Sequence, residues 1–400
     1  MKIGMFSDTY DPQINGVASS VKILKNNLEL LGHEVYVFTT TDPKAQKGEK
    51  NVYRMPSVQV TVDNRLSVFI PPEIIGKIWD LDLDVVHTHT EFTVGSLGWG
   101  VAKMYGLPQV HTMHTIYEDY THFVVKSDAL NTIAKPAARL LTRSFSNSAN
   151  KVIVPTNKIK DLLLSYGGKS PMAIIPTGIE LDMFSNKNDS VDSRSSLREQ
   201  YGIAPADKVL LFLGRISKEK NIDEFLNVLA GYLPQKPNVK FLLVGGGSEV
   251  DELKQLSNEL GISEQVIFAG KKPWDEIGRY YHMGDIFINA SQSETQGLTY
   301  IEALASGMPV VAKADRVLDN VLIEGKNGFT FTDKTSLLSA LDTLLNDDSL
   351  RHEMGIAAAK SVEKFTGAHY ARAVSDLYSE ITSDWKYPYR EYKKPSGDMD

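Results

Sequence analysis

Two glutamates, Glu294 and Glu302, stand eight positions apart in the segment ETQGLTYIE and enclose a glycine and two threonines. The apolar run DIFINAS (285–291) precedes them and is typical of a buried strand. The residues LTYIEALAS that follow are apolar at helical spacing and end before Gly307. The sequence therefore predicts that Glu294 lies in a strand-to-helix loop and Glu302 on the helix, about one turn in.

The backbone amides of Gly297, Leu298 and Thr299 are predicted to lie at the N-terminus of that helix. Free amides and the helix dipole favour an anion such as a phosphate there. Because a carboxylate repels a phosphate, the glutamates need other partners, and hydroxyl groups suit them. A nucleotide-sugar offers a ribose, a pyrophosphate and a hexose in that order. A solvated loop glutamate and an ordinary surface-helix glutamate are the alternative for the pair alone.

The composition limits the classes of function. The chain has 400 residues, 42% hydrophobic and 23% charged, which predicts two or more globular domains. The absence of cysteine excludes disulfides and cysteine-ligated metals and fits a reducing cytosol. No signal-peptide core and no membrane-spanning apolar run occur, so we expect a cytoplasmic location. The net charge of −7 argues against nucleic-acid binding.

The chain repeats one architecture twice. IGMFSD, SVKILKNNLELLG and HEVYVFTT form a strand, a helix and a strand near the start, and KVLLFLGRI, NIDEFLNVLAGYLP and VKFLLVGGG repeat the pattern from Lys208. Such βαβ units require parallel sheets. We predict an α/β fold of two Rossmann-like domains that face each other across a cleft. The predicted segments are a domain at 1–180, a linker at 181–206, a domain at 207–375 and a C-terminal helix or tail at 376–400, for which a return to the first domain is one alternative.

Several motifs together resemble glycosyltransferase family 4, and the resemblance covers nearly the whole chain. GRISKEKN (214–221), VGGGSE (244–249) and SETQGLTYIEALASGMPVV (293–311) are similar to the C-terminal domain of that family. NG (15–16) and HTMHT (111–115) are similar to its first-loop glycine and its histidine-bearing loop. The resemblance implies the GT-B fold and sugar transfer with retention. The segment TQGLTYIEA further resembles bacterial diacylglycerol glucosyltransferases. This resemblance implies UDP-glucose as donor, diacylglycerol as acceptor and no cofactor.

The resemblance also implies roles for individual residues. Arg215 and Lys220 would clamp the departing pyrophosphate, whose charge a metal-free enzyme must stabilise with cations and helix N-termini. Glu294 would bind the hydroxyls of the donor sugar and Glu302 those of the ribose, both as ionised acceptors rather than as the nucleophile and acid of a glycosidase. Phosphates or sugar would meet the amides of 297–299. The remaining roles fall on Gly16, where the backbone approaches the substrates, and on His114, which would contact the sugar and shape the acceptor pocket.

Five histidines lie within one stretch of the first half. Imidazole is a common zinc ligand, so zinc binding is an alternative for this cluster. However, HTH and HTMH each follow an apolar strand, which explains the clustering as two neighbouring loop ends. We predict no metal, and we predict that His111 is structural. The five are His87, His89, His111, His114 and His122.

A basic segment predicts contact with a membrane. From 129 to 160 there are six cations and no acidic residue, and Lys135, Arg139 and Arg143 are spaced to form one helical stripe. Such a helix suits docking on the anionic inner face of the cell membrane, although an ordinary solvated face is the alternative. The tail WKYPYREYKKP (385–395) could share the interface, but we expect it to be loose. The other face of the helix would carry Ile133, Ala137, Leu140 and Leu141.

Other functions remain open on the sequence alone. A transferase of the same family could use another hexose or another acceptor, and a nucleotide-sugar epimerase could share the fold. A binding protein without catalysis is a third alternative. The intact set of Arg215, Lys220, Glu294 and Glu302 argues against lost activity.

Overall fold

The computed structural model describes residues 1–13, 15–46, 48–60, 65–118, 128–185 and 191–393. The chain forms two compact units, one of Met1–Gly178 with Gly367–Asp400 and one of Ile179–Thr366. The domain bounds inferred from the sequence stay predictions beside these units.

The first unit is built on a seven-stranded sheet in the order β3-β2-β1-β6-β7-β8-β9, in which all neighbours are parallel. A short antiparallel hairpin, β4-β5, lies outside this sheet. The strands of the first unit are β1 Lys2–Phe6, β2 Glu34–Thr40, β3 Val52–Met55, β4 Ser57–Gln59, β5 Arg65–Ser67, β6 Val85–Thr88, β7 Gln109–Thr112, β8 Lys151–Val154 and β9 Met172–Ile174. Its helices before the second unit are α1 Gly16–Leu30, α2 Pro72–Leu81, α3 Thr93–Tyr105, α4 Asp128–Ser148 and α5 Asn157–Ser165.

The second unit has a six-stranded parallel sheet in the order β12-β11-β10-β13-β14-β15. Its strands are β10 Lys208–Leu213, β11 Val239–Val244, β12 Val266–Gly270, β13 Ile286–Asn289, β14 Val310–Lys313 and β15 Gly328–Phe331. Its helices are α6 Val191–Gln200, α7 Ile222–Leu229, α8 Val250–Glu259, α9 Ile277–Tyr281, α10 Leu298–Ala305, α11 Lys334–Asn346 and α12 Asp348–Ser361. The chain then returns to the first unit as α13 Gly367–Thr382 and α14 Pro388–Lys393.

The strand order confirms the predicted Rossmann-like architecture of each unit. Central strands such as β10 (KVLLFL) are almost wholly apolar because helices cover both faces of a parallel sheet. In each sheet the chain runs outward from its first strand and then returns on the other side of it. The order therefore reverses between β1 and β6 and between β10 and β13. Ligands of doubly wound folds bind at the carboxyl ends of the strands at such reversals.

The segment expected to be a linker is partly helical. It contains α6, whose Arg194 and Arg198 form ion pairs of 3.1 Å and 3.2 Å with Asp285, at the start of β13. Both partners belong to the second unit.

The expectation of a loose tail was wrong. The indole of Trp385 donates a 2.8 Å hydrogen bond to the carbonyl of Gly106, and the hydroxyl of Tyr389 donates one of 2.8 Å to the carbonyl of Leu83. Arg390 forms an ion pair of 2.7 Å with Asp84. These aromatic side chains bury apolar area while their polar ends find backbone acceptors, which holds the tail on the first unit. Residues 394 and 395 lie outside the described residues.

The predicted basic helix is present as α4, and Lys135, Arg139 and Arg143 are all exposed on it. Within the described ranges, no helix combines the length and the apolar character that a membrane crossing requires.

We predict that Tyr389→Ala lowers the free energy of unfolding of the first unit by about 2–4 kcal/mol, because it removes a buried ring that packs on Trp79 and Tyr105. Tyr389→Phe, which loses only the hydroxyl, should cost roughly 1 kcal/mol. Urea unfolding of both variants measures the difference. Equal stability of Tyr389→Ala and the parent would mean that the tail contributes nothing to the fold.

Candidate functional site

The reversal between β10 and β13 brings two of the sequence motifs to one edge of the second sheet. Leu210 pairs with Ile286 in parallel register, so the loops that follow the two strands start side by side. A hydrogen bond of 3.1 Å from the side-chain amide of Asn221 to the carbonyl of Ala290 ties the two loops together. Asn221 takes a left-handed conformation, with φ of 50°, at the junction of a short 3-10 turn (Lys218–Lys220) and α7.

Lys220 and Glu294 are in contact across these loops. The ammonium of Lys220 donates a 2.5 Å hydrogen bond to a carboxylate oxygen of Glu294. Their side chains are only 12% and 17% exposed. The leaving-group cation and the sugar-binding carboxylate predicted from the sequence therefore form one neutral ion pair.

Arg215 has an acidic neighbour within its own loop. Its guanidinium lies 3.6 Å from the carboxylate of Glu219, which also accepts a 2.6 Å hydrogen bond from Ser217. The arginine side chain is well exposed, so this ion pair contributes little to stability. Arg215 is thus a more exposed cation than Lys220.

The helix that follows Glu294 begins as predicted. Gly297 precedes α10 in a left-handed conformation, with φ of 71°, and no side chain caps the helix N-terminus within the described part of the chain. A Cβ at this position would meet the ring of Tyr300 at 2.4 Å. The turn therefore requires glycine both for its backbone conformation and for the lack of space. The amides of Gly297, Leu298 and Thr299 stand at this uncapped end, which is where an anion is favoured.

Glu302 is in a different environment from Glu294. It lies on α10, is 4% exposed, and accepts a 2.6 Å hydrogen bond from the buried hydroxyl of Tyr281. Burial raises the pKa of Glu302 to about 7, and the hydrogen bond from Tyr281 only partly offsets this. The ionised Glu302 expected from the sequence stays a prediction, which concerns the protein with nucleotide bound. The sequence offered no signal for Tyr281.

The first-loop glycine, Gly16, is the first residue of α1 in the first unit and is exposed. Asn15 caps that helix by accepting from the amide of Ala18 at 2.9 Å and donates a 2.8 Å hydrogen bond to Thr9. Sequence reasoning missed a neighbouring buried carboxylate, Asp8. It accepts hydrogen bonds of 2.6 Å from Thr90 and Thr93 and one of 2.9 Å from the amide of Val94. Asp8 thereby fastens the loop after β1 to the start of α3.

The histidines of the first unit are mostly paired with one another and with hydroxyls. His111 is fully buried between Thr88 at 2.9 Å and Glu91 at 3.3 Å, which confirms its structural character. His114 contacts His89 at 3.1 Å between ring nitrogens. Burial lowers the pKa of His114 to about 3, with a further contribution from His111. His122 lies outside the described residues, and no group of three or more acidic, histidine or cysteine side chains within the described ranges is placed to hold a metal.

On α4, Arg139 has an acidic partner. Arg139 makes a two-pronged contact with Glu118, at 2.7 Å and 2.5 Å, and Glu118 also accepts from the hydroxyl of Tyr166 at 2.6 Å. These hydrogen bonds lower the pKa of Glu118. The apolar neighbours Ile133 and Leu140 are 70% and 54% exposed, so they are not part of the core.

Comparison with known proteins agrees with this architecture. Residues 14–183 match the family model described as Glycosyltransferase Family 4, and residues 193–361 match the model described as Glycosyl transferases group 1. The structure of HepE from Anabaena in complex with UDP and glucose superposes with a TM-score of 0.76 at 20% identity, over 95% of this chain and 100% of that one. Fold and site together define a glycosyltransferase of the GT-B fold.

Two relatives that match nearly the whole of this chain show which family of glycosyltransferases it belongs to. The α-monoglucosyldiacylglycerol synthase of Streptococcus pneumoniae is 37% identical over 98% of this chain and 91% of its own length. The enzyme of the same name from Acholeplasma laidlawii is 35% identical over 95% of this chain and 97% of its own length. This chain belongs to glycosyltransferase family 4.

The raised pKa of Glu302 predicts a pH-dependent stability. Between about pH 4.5 and 7 the native state holds a proton on Glu302 that the unfolded state has lost. The contribution of Glu302 to the free energy of unfolding is therefore fully present below about pH 4.5 and is lost as the pH rises through 7. Glu302→Gln keeps an acceptor for Tyr281 without a charge. The free energy of unfolding of Glu302→Gln minus that of the parent should therefore rise by about 1–3 kcal/mol when the pH is raised from 5 to 8.

Urea unfolding at the two pH values measures this change, and Glu264→Gln, at an exposed glutamate of the same unit, is the control. A difference between Glu302→Gln and the parent that stays constant with pH would contradict the assignment.

Proposed function

We propose that this protein transfers glucose from UDP-glucose to diacylglycerol and forms an α-glucosyl diacylglycerol. The observation that carries the proposal is similarity over nearly the full length to two α-monoglucosyldiacylglycerol synthases. Their name supplies the sugar, its configuration and the acceptor. The site in the second unit adds the chemistry that a nucleoside diphosphate donor needs, namely two cations, an uncapped helix N-terminus and two carboxylates.

The donor binds in the second unit and replaces the contact between Lys220 and Glu294 with contacts of its own to each of them. The pyrophosphate brings negative charge to the ammonium of Lys220, while hydroxyls of the glucose donate to the carboxylate of Glu294. Arg215 turns from its weak contact with Glu219 towards the phosphates. Each partner of the ion pair thus gains a new partner, so the exchange leaves no buried charge uncompensated.

The reaction proceeds by attack on the face that the leaving group departs from. The acceptor hydroxyl oxygen bonds to the anomeric carbon as the bond to the β-phosphate oxygen breaks, and the bonding electron pair leaves with UDP. That phosphate oxygen takes the hydroxyl proton. Lys220, Arg215 and the amides of 297–299 stabilise the charge that develops on the diphosphate.

The acceptor requires contact with a membrane, because diacylglycerol is confined to the bilayer. The proposed docking face lies on the first unit and includes α4, with its exposed cations and the exposed Ile133 and Leu140. Cations near an anionic surface contribute about 1 kcal/mol each, and apolar side chains add burial in the interface. The protein would act as a peripheral protein on the cytoplasmic face of the cell membrane.

Further apolar side chains adjoin this face. The ring of Phe92 packs edge to face on Tyr117 at 5.2 Å, and the next residue, Glu118, is bonded to Arg139 of α4. Phe69 follows β5, where Ser67 is bonded to Thr93 beside Phe92, and both Phe69 and Phe92 are exposed. Aromatic side chains and cations on one surface are what a lipid interface favours.

A donor and acceptor screen tests the function. Radiolabelled UDP-glucose, UDP-galactose and GDP-mannose are each incubated with vesicles that contain diacylglycerol, or with inositol phosphate as a soluble acceptor. We expect label in the lipid extract from UDP-glucose alone. Label only in the soluble acceptor would refute the lipid assignment and leave a transferase, whereas conversion of the donor to another sugar without acceptor would indicate an epimerase.

Removal of Lys220 should abolish most of the activity. We predict that Lys220→Ala lowers kcat/KM for UDP-glucose by at least about tenfold, because the diphosphate loses its most enclosed cation. Lys218→Ala is the matched control, since Lys218 belongs to the same turn but is exposed and paired with Asp223. It should keep near-parental activity. Similar losses in both variants would mean that the turn, and not the Lys220 ammonium, is what matters.

Removal of the α4 cations should weaken membrane binding. Changing Lys135, Arg139 and Arg143 together to Gln should lower affinity for anionic vesicles by at most about 3 kcal/mol, and added salt should shrink the difference because it screens charge over about 8 Å. UDP-glucose affinity should stay unchanged. Vesicle flotation measures the binding.

A control variant changes Lys254, Lys334 and Lys360 of the second unit, all exposed, to Gln and alters the net charge equally. If both triple variants bind anionic vesicles alike, α4 is not the docking element.

A further inference from the structure

One buried hydroxyl group of the second unit, that of Tyr300, has no hydrogen-bond partner among the described residues. The residue lies in the first turn of α10 and is fully buried. Tyr281, which is also buried, donates instead to Glu302 at 2.6 Å. A buried donor that is left unpaired destabilises a protein, and native proteins retain few of them.

The ring of Tyr300 is held in place by its neighbours. It packs almost perpendicular to the ring of Phe287 on β13, with 6.1 Å between the ring centroids. It also lies directly on Gly297, where a Cβ would come within 2.4 Å of it. The backbone amide of Tyr300 donates a 3.0 Å hydrogen bond to the carbonyl of Gly297. The hydroxyl therefore keeps one position, beside the loop that carries Glu294.

Two carboxylates act on this hydroxyl. Burial is the main cause that raises the pKa of Tyr300 well above its ordinary value, and the charges of Glu294 and Asp315 add to it in that order. The hydroxyl therefore stays protonated near neutral pH, and towards a carboxylate it is a donor.

The two carboxylates are held by different kinds of partner. Asp315 accepts a 2.8 Å hydrogen bond from the amide of Val317 and so caps the short turn that follows β14. Glu294 accepts from the ammonium of Lys220, which is a partner that an anionic ligand attracts. Glu294 is therefore the carboxylate that loses a hydrogen bond when such a ligand binds.

We propose that Tyr300 is a positioning residue, whose hydroxyl donates to Glu294 when an anion draws the ammonium of Lys220 away. The new hydrogen bond replaces part of what Glu294 loses and holds its carboxylate towards the hydroxyls of the donor sugar. Because this bond forms only in the complex, it adds to the affinity for the ligand. The role rests on the proposed function in that the anion is the pyrophosphate of UDP-glucose.

Removal of the ammonium by substitution tests this role without any ligand. In the parent, Tyr300→Phe deletes an unpaired hydroxyl, so the urea midpoint of unfolding should stay unchanged or rise. In Lys220→Ala, where Glu294 has lost the ammonium, the same change should lower the midpoint. An equal shift in both backgrounds would overturn the proposal.

Tyr281→Phe is the matched control for the urea experiment. It deletes a buried hydroxyl of the same unit that already has a partner, Glu302, and should therefore lower the midpoint in the parent and in Lys220→Ala alike. If Lys220→Ala fails to fold, ligand binding by the full chain decides.

Titration calorimetry with UDP-glucose measures the role in the complex. Tyr300→Phe should weaken binding roughly tenfold, the range of one hydrogen bond to a charged group. In Glu294→Ala, which has no carboxylate to hold, Tyr300→Phe should have little further effect. Equal affinity of Tyr300→Phe and the parent would overturn the proposal. A tenfold loss in the Glu294→Ala background as well would show that the hydroxyl contacts the ligand itself, which would also overturn it.

The two experiments separate this role from the proposed function. Neither contains an acceptor lipid, so neither depends on diacylglycerol. A parent that binds no UDP-glucose would refute the proposed donor, and the urea midpoints alone would then decide whether Tyr300 supports Glu294.

Discussion

The ion pair between Lys220 and Glu294 is the interaction on which the proposed donor site depends. An ammonium or a carboxylate with so little exposure would be strongly destabilising alone, because the loss of hydration costs several kcal/mol per ion. The two loops can hold both charges because β10 and β13 are adjacent and parallel and because Asn221 ties the loops together. The protein thus holds a cation and a carboxylate at one edge of the second sheet. An anion suits the first, and hydroxyl groups suit the second.

Two carboxylates of one sequence motif therefore have different physical states. Glu294 is neutralised by an ammonium, whereas Glu302 accepts from the hydroxyl of Tyr281 and burial raises its pKa to about 7. A partly protonated carboxyl group both donates and accepts hydrogen bonds, as a diol ribose does. Donation from two ribose hydroxyls would stabilise the ionised form of Glu302, so binding of a nucleotide and loss of a proton would be linked.

Much of the fold could be predicted because its central strands are continuous apolar runs followed by polar loops. Short strands such as β4 and β9 were missed, since three residues carry no periodicity. The segment 385–395 was mispredicted as loose because its aromatic residues do not reveal in sequence that they bond to the distant carbonyls of Leu83 and Gly106. The contacts of Glu302 with Tyr281 and of His89 with His114 join loops and helices that are distant in sequence, and no local pattern marks such pairs.

A structure of the protein with UDP-glucose bound is the most direct test of the donor site. In that structure the pyrophosphate should lie at the amides of 297–299 and contact the ammonium of Lys220, while glucose hydroxyls contact Glu294 and ribose hydroxyls contact Glu302. The Lys220–Glu294 hydrogen bond should be broken or shared with the ligand. A nucleotide bound elsewhere, with the Lys220–Glu294 pair intact and no ligand at the N-terminus of α10, would contradict the account.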